Sequence, residues 1–156
     1  MKFGLGLVLA VTFLCCDAVD REGTVIKIVD GDTFDVIENK TPVRIRMFGI
    51  DAPERGQPFN KKAKEFTESI IAGKKVRIEV HNKDQYGRTV ADVYLMDGTY
   101  VNAEIVRAGY AWQFKRYSTD AGMAKLEEEA RQNSRGLWQD EAAIPPWEFR
   151  KRMASH

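Results

Sequence analysis

Between Gly23 and Ile50 the chain repeats one local pattern three times, and that pattern limits its fold more than any other feature. "GTVIKIVD" (23–30), "TFDVIE" (33–38) and "TPVRIRMFGI" (41–50) each read as a strand, the third with Val43, Ile45 and Met47 alternating against Arg44 and Arg46. Three strands joined by connections this short pair antiparallel, so the region is a meander. "PFNKKAKEFTESIIAG" (58–73) then changes period. Pro58 opens it, Phe59, Ala63, Phe66 and Ile70 share one helical face, and Gly73 ends it.

Two further strands follow, "KKVRIEVH" (74–81) and "TVADVYLM" (89–96), joined through "NKDQYGR". "TYVNAEIVRAG" (99–109) reads as a short helix stopped by Gly109. "STDAGMAKLEEEARQNSRG" (118–136) reads as a longer one capped at Ser118 or Thr119. The order β-β-β-α-β-β-α-α predicts an α+β, mainly β fold: a five-stranded OB-type Greek-key barrel with three helices. A fold of this kind carries many activities, so function must come from particular residues.

With 156 residues and no internal repeat or linker, the chain is long enough for one domain with a real core. A hydrophobic share of 44% beside 30% charged residues is ordinary for a soluble globular protein. The formal net charge of +1 gives no global attraction to nucleic acid or membrane, so a polyanionic partner must be held by local clusters.

Residues 1–18, "MKFGLGLVLAVTFLCCDA", combine Lys2, an apolar run from Phe3 to Leu14 and a small residue at Ala18. They read as a secretory signal peptide cut after Ala18, which predicts a secreted or periplasmic protein without stable membrane association after cleavage. A membrane anchor is the competing reading, but the apolar run is short for a bilayer. Lipid modification of Cys15 or Cys16 is a third. Both cysteines lie in this segment, so the mature chain has neither disulfides nor thiol chemistry and depends on its core.

Three stretches carry possible chemistry. "VDGDTFD" (29–35) holds Asp30, Asp32 and Asp35. Its plain reading is a tight Asp30-Gly31 hairpin turn, and its spacing fails the EF-hand pattern at Phe34 and Asp35. "RMFGIDAPER" (46–55) places Asp51 and Glu54 around Pro53, which disfavours helical geometry at Ala52 and leaves the Ala52 carbonyl free to point outward. Carboxylates and a carbonyl are hard oxygen ligands that suit calcium, with magnesium the competitor. "DQYGRTVAD" (84–92) adds Arg88 after a turn glycine. Arg46 and Arg88 are surface cations by default, but beside carboxylates they suit a phosphate, which a planar guanidinium grips with two hydrogen bonds.

Taken together, "VDGDT", "RMFGIDAPE" and "DQYGRT", with "VNAEIVRAGYA" and "SRGLW" downstream, resemble the staphylococcal-nuclease-like (thermonuclease or micrococcal nuclease) family over residues 23 to about 138. The resemblance implies an OB-fold domain (19–140), followed by a carboxyl-terminal extension (141–156). It implies calcium-dependent hydrolysis of phosphodiester bonds in DNA and RNA, leaving 3′-phosphate ends; the chain is expected to be a monomer. Position by position, it implies that Asp32 and Asp51 ligate Ca2+ through carboxylates and Ala52 through its backbone oxygen. It also implies that Glu54 activates or positions water and that Arg46 and Arg88 grip the phosphate. Asp30 stands near the metal without a defined role, and Asp35 is an ordinary strand residue.

Two departures from the family pattern matter. Only "RGQ" separates Glu54 from Pro58, where the family's best-known member has a longer loop, and the tyrosine-bearing segment after the second helix is replaced by "GYAWQFKRYS". Tyr110, Trp112, Phe114 and Tyr117, interleaved with Lys115 and Arg116, offer base stacking and phosphate contacts, with at least two of the aromatics expected in the core. Tyr86 beside Arg88 is the stronger substrate contact. "RKR" at 150–152 adds at most a weak phosphate contact and reads as a frayed, solvated tail. The rival functional readings are a catalytically weak nucleic-acid- or protein-binding module, and an OB-fold protein with a structural calcium site. The first has no use for a carboxylate cluster that repels phosphate unless a metal neutralises it.

Overall fold

A computed structural model of the chain describes residues 20–155. The proposed signal peptide (1–18), with Cys15 and Cys16, lies outside the described residues. Strands β1 (Asp20–Ile28), β2 (Thr33–Glu38) and β3 (Thr41–Met47) form the expected meander; the two-residue β4 (Ile50–Asp51) then leads to helix α1 (Asn60–Ile71). Strands β5 (Lys75–Lys83) and β6 (Thr89–Leu95) follow, then α2 (Val101–Arg107), the short β7 (Trp112–Gln113) and α3 (Ala121–Gln132). A 3-10 turn over Gly136–Gln139 and helix α4 (Pro146–Ala154) complete the order.

The five longer strands close into a barrel in the order β1-β2-β3-β6-β5, with β5 returning to β1 and β3 running parallel to β6. This is the OB-fold barrel, mainly β, with four α-helices among the described residues where the sequence indicates three. Its interior is filled by inward residues of alternating strands, among them Phe34, Val36, Ile45, Met47, Ile78 and Val93, each at most 1% exposed. The alternation survives two bulges. One lies between Val25 and Lys27 and turns Ile26 out to solvent; the other lies between Val80 and Asn82 and bends β5 toward the 84–88 turn.

Several local expectations change. The β1–β2 connection is a four-residue loop over 29–32, not a two-residue turn, since the N–H groups of Val29 and Asp30 both donate to the Thr33 carbonyl. Gly31 is required by space: a Cβ there would stand 2.8 Å from the Ala52 Cβ and 2.9 Å from the Ala63 Cβ. Helix α1 starts at Asn60 because Phe59 takes a left-handed conformation (φ 66°). Its buried face runs through Ala63, Thr67 and Ile71, and the Thr67 hydroxyl donates to the Gly31 carbonyl at 2.7 Å. Helix α3 is capped by Asp120, whose carboxylate accepts the Met123 N–H at 3.0 Å, and not by Ser118 or Thr119.

The largest correction concerns the carboxyl end. Instead of fraying, residues 146–154 form α4, with Pro146 at its first turn and buried. A nine-residue helix is too short to hold itself together in water. Trp147 anchors it by stacking flat on Phe114 (centroids 5.3 Å apart, planes 2° apart), and the Gln57 side-chain amide donates to the Ile144 carbonyl at 2.7 Å. No helix among the described residues is long and apolar enough to cross a membrane.

Candidate active site

At one end of the barrel the loop over 29–32, the end of β3, and β4 converge. Asp32 comes from the first, Arg46 from the second and Asp51 from the third. β4 is held by antiparallel pairing with β7, Asp51 opposite Trp112, so the Asp51 backbone is fixed from outside the barrel. Asp32 is tied across to the neighbouring segment, since its Oδ2 accepts the Ala52 N–H at 2.7 Å and its Oδ1 the Thr33 hydroxyl at 3.0 Å. Both carboxylates are buried, Asp32 at 5% and Asp51 at 1% exposure.

Arg46 links them. Its Nη1 lies 3.1 Å from Asp32 Oδ2 and its Nη2 2.9 Å from Asp51 Oδ1. The same Nη1 donates to the carbonyls of Met47 (2.8 Å) and Ile50 (2.9 Å), which clamps the turn between β3 and β4. Glu54 stands at the mouth of the cleft with its side chain 38% exposed. Its short loop is tied by hydrogen bonds: the Glu54 N–H donates to Gln57 Oε1 at 3.0 Å, the Gln57 N–H donates back to the Glu54 carbonyl at 2.9 Å, and the Asn60 amide donates to the Pro53 carbonyl at 2.7 Å.

Arg88 lines the same cleft, of about 830 Å³, from the other side. It is organised by Asp84, which sequence reasoning passes over. Asp84 Oδ1 accepts the N–H groups of Tyr86 (2.9 Å) and Arg88 (3.0 Å), while Oδ2 takes the Arg88 Nε–H at 2.7 Å. Burial works against the Asp84 charge, yet these hydrogen bonds hold its carboxyl below the usual range. The positive φ of Gly87 (78°) lets the turn close. Arg88 is therefore paired within its own loop and makes no ion pair with Asp32 or Asp51.

The aromatic expectations divide. Tyr86 is 74% exposed on the cleft wall, with the Arg88 guanidinium 5.5 Å from its ring centre. Trp112, expected at the substrate, is 4% exposed and packs edge-on against Trp138. Tyr110 packs on Phe66 against the core instead of facing the cleft. Tyr110 is held by Phe66 of α1 and Trp112 by Trp138 of the 3-10 turn, so neither ring is presented to the cleft. Lys115 is exposed but stands outside the cleft wall; Phe114, Arg116 and Tyr117 line it in its place. Asp35 is paired with Arg44 at 2.8 Å, away from the cluster.

One residue enters the site from a segment the sequence marks as a tail. Arg150, on α4, places Nη2 2.8 Å from Asp51 Oδ2 and Nη1 3.3 Å from Asp51 Oδ1, and its Nη1 also reaches Glu54 Oε1. Burial disfavours the Arg150 charge, but the two carboxylates raise its pKa above the ordinary arginine value.

Negative charge is crowded here. Burial pushes Asp30 up to about 7, helped by the charge of Asp32, whose N–H donates to Asp30 Oδ1 at 3.2 Å. Burial likewise raises Asp51 to about 6, against the opposing hydrogen bond from Arg150. Among the described residues, no three carboxylate, imidazole or thiol side chains stand together as an ion site on their own. The donors that are present, two buried carboxylates and the neighbouring Ala52 carbonyl, on which no turn or loop hydrogen bond ends, are all hard oxygens. That set fits an oxygen-loving divalent cation completed by water and substrate, and such a cation relieves the crowding.

Comparison with known proteins agrees with this geometry. A family profile described as staphylococcal nuclease homologue matches residues 44–140. An uncharacterized endonuclease of Escherichia coli O157:H7 is 42% identical over 139 residues, covering 89% of each chain. A micrococcal nuclease of Shigella flexneri is 38% identical over 142 residues, 85% of this chain and 82% of the relative. A probable staphylococcal-like nuclease, CAN1, of Oryza sativa subsp. japonica is 39% identical over 108 residues, 69% of this chain and 32% of that protein.

Proposed function

Since the chain belongs to the staphylococcal nuclease homologue family and is a phosphodiester-hydrolysing nuclease, we propose that it is calcium-dependent, cleaves both DNA and RNA, and leaves 3′-phosphate ends. The observation that carries this reading is the pair of buried carboxylates, Asp32 and Asp51, bridged by one guanidinium at the floor of a cleft with Glu54 at its mouth. A buried acidic pair repels a polyanion unless a cation stands with it. A binding module that has lost catalysis would have no need for that arrangement.

In this reading Asp32, Asp51 and the Ala52 carbonyl hold Ca2+. When bound, the ion neutralises charge building on the non-bridging phosphate oxygens. Arg46 is preset for the same task, because its fork is already held by two carbonyls and two carboxylates and needs no reordering. Arg88 approaches from the opposite wall on the Asp84 turn, and Tyr86 offers its ring to a base. Glu54 takes the proton from a water molecule whose oxygen attacks phosphorus. The phosphorus–O5′ bond breaks, the phosphate remains on the 3′ side, and the departing 5′ oxygen takes a proton from solvent.

Arg88→Ala is expected to slow cleavage of single-stranded DNA by roughly 10–100-fold, the scale of a lost charge-assisted hydrogen bond, with the urea midpoint unchanged. A largely unfolded variant would make Arg88 a structural residue. We further propose that residues 1–18 direct export and are removed, leaving a secreted or periplasmic monomer. N-terminal sequencing of the exported protein should then begin at Val19; a chain that starts at Met1 removes the proposal.

A further inference from the structure

Arg150 differs from Arg46 and Arg88 in what holds it. Arg46 is 13% exposed in its side chain and is tied to backbone carbonyls as well as carboxylates, so it is a fixed part of the floor. Arg88 is tied to Asp84 in its own turn. Arg150 is 43% exposed, contacts only the carboxylates of Asp51 and Glu54, and lies on the cleft wall. Two of its five N–H groups, Nε–H and one on Nη2, have no acceptor among the described residues.

The helix that carries it is docked for this position. Trp147 stacks on Phe114, which directly follows β7, the partner of β4; Gln57 bonds both to the Glu54 N–H and to the Ile144 carbonyl. The two anchors of α4 are therefore the same elements that fix Asp51 and Glu54. The matched family span ends at residue 140, before this helix begins.

Charge balance points the same way. Asp32, Asp51 and Glu54 bring three negative charges, and Arg46 and Arg150 bring two positive ones. Asp30 and Asp84 add two negative formal charges to the cleft lining and Lys83, Arg88 and Arg116 add three positive ones, so with a divalent cation the lining carries two positive charges, and removing Arg150 halves that net attraction for the strand.

We propose that Arg150 is a substrate ligand of the active site, gripping a phosphate of the bound strand, and that α4 is part of the nuclease's working unit. The proposal rests on the nuclease reading above. In the intact chain, Arg150→Ala should lower kcat/KM on single-stranded DNA by about 10²-fold, the scale for removing one preset charge-stabilising donor. Arg150→Lys, which keeps the charge and loses the fork, should fall between the two. Binding of a short single-stranded DNA oligonucleotide, measured with calcium in the slow Glu54→Gln background, should weaken at least tenfold when Arg150→Ala is added.

Unchanged kcat/KM and unchanged oligonucleotide affinity would overturn the proposal. So would faster cleavage by Arg150→Ala, which would make the arginine a latch over Asp51 and Glu54. If Arg150→Ala fails to fold, the lysine variant decides: wild-type kcat/KM and affinity there exclude a role for the fork. If the unmodified chain cleaves no DNA with calcium, the nuclease reading fails first, and the affinity comparison still tests Arg150.

Discussion

Glu54→Gln is expected to lower turnover by about 10²–10⁴-fold, the usual contribution of a positioned general base, while leaving the fold and calcium binding intact. The substitution preserves shape and the hydrogen bonds around it. The backbone of Glu54 is held by Gln57 whatever its side chain carries, and a glutamine oxygen still accepts from Arg150. What disappears is the ability to take a proton from water. The side chain is 38% exposed and no part of the core depends on it, so the thermal midpoint should stay nearly constant. Single-turnover hydrolysis of DNA beside a calcium titration makes the test. Near-normal turnover in the variant would remove Glu54 from the mechanism.

Arg46→Ala should be the more damaging substitution, because it strikes stability and chemistry together. Arg46 is the shared partner of two buried carboxylates and the clamp on the β3–β4 turn. Removing one side of a buried ion pair costs roughly 3–5 kcal/mol, since the remaining charge stays buried without its partner. Here the loss should fall near the lower end, because Arg150 continues to pair with Asp51. Turnover should drop by about 10²-fold or more with the lost phosphate ligand. Arg46→Lys separates the two effects: it restores a positive charge and part of the stability, but not the fork, so its denaturant midpoint should recover further than its turnover. Equal recovery of both would make Arg46 only a structural cation.

The parts of the site that could be read in the sequence are those carried by strand ends. "VDGDT" and "RMFGIDAPE" lie at neighbouring corners of a meander, and strand adjacency alone brings Asp32, Arg46 and Asp51 together. Even so, the glycine between Asp30 and Asp32 serves packing against Ala52 and Ala63 rather than a two-residue turn, which no local pattern shows. Trp112 and Tyr110 read as substrate contacts in the sequence because interleaving with Lys115 and Arg116 resembles a stacking platform. Their burial depends on how β7 and α2 meet α3 and α1, a tertiary matter.

Arg150 is the instructive case. "IPPWEFRKR" carries a helix-start signal in its second proline and an anchor in Trp147, but a helix this short gains its stability from docking. The Phe114–Trp147 stack that docks it joins residues 33 positions apart, and nothing in the periodicity of either segment announces the other. Asp84 is hard to read in the sequence for the opposite reason. Its work is local, an Asx-type turn that aims Arg88, and such a residue is easily read as a loop charge.

The most direct test of the account is hydrolysis of single-stranded DNA by the purified chain, titrated with calcium and then magnesium, with the product ends identified by mass spectrometry. Cleavage that rises with calcium, stops with a chelator and leaves 3′-phosphate ends is the predicted result. Cleavage indifferent to the chelator, or products bearing 5′-phosphates, would contradict it.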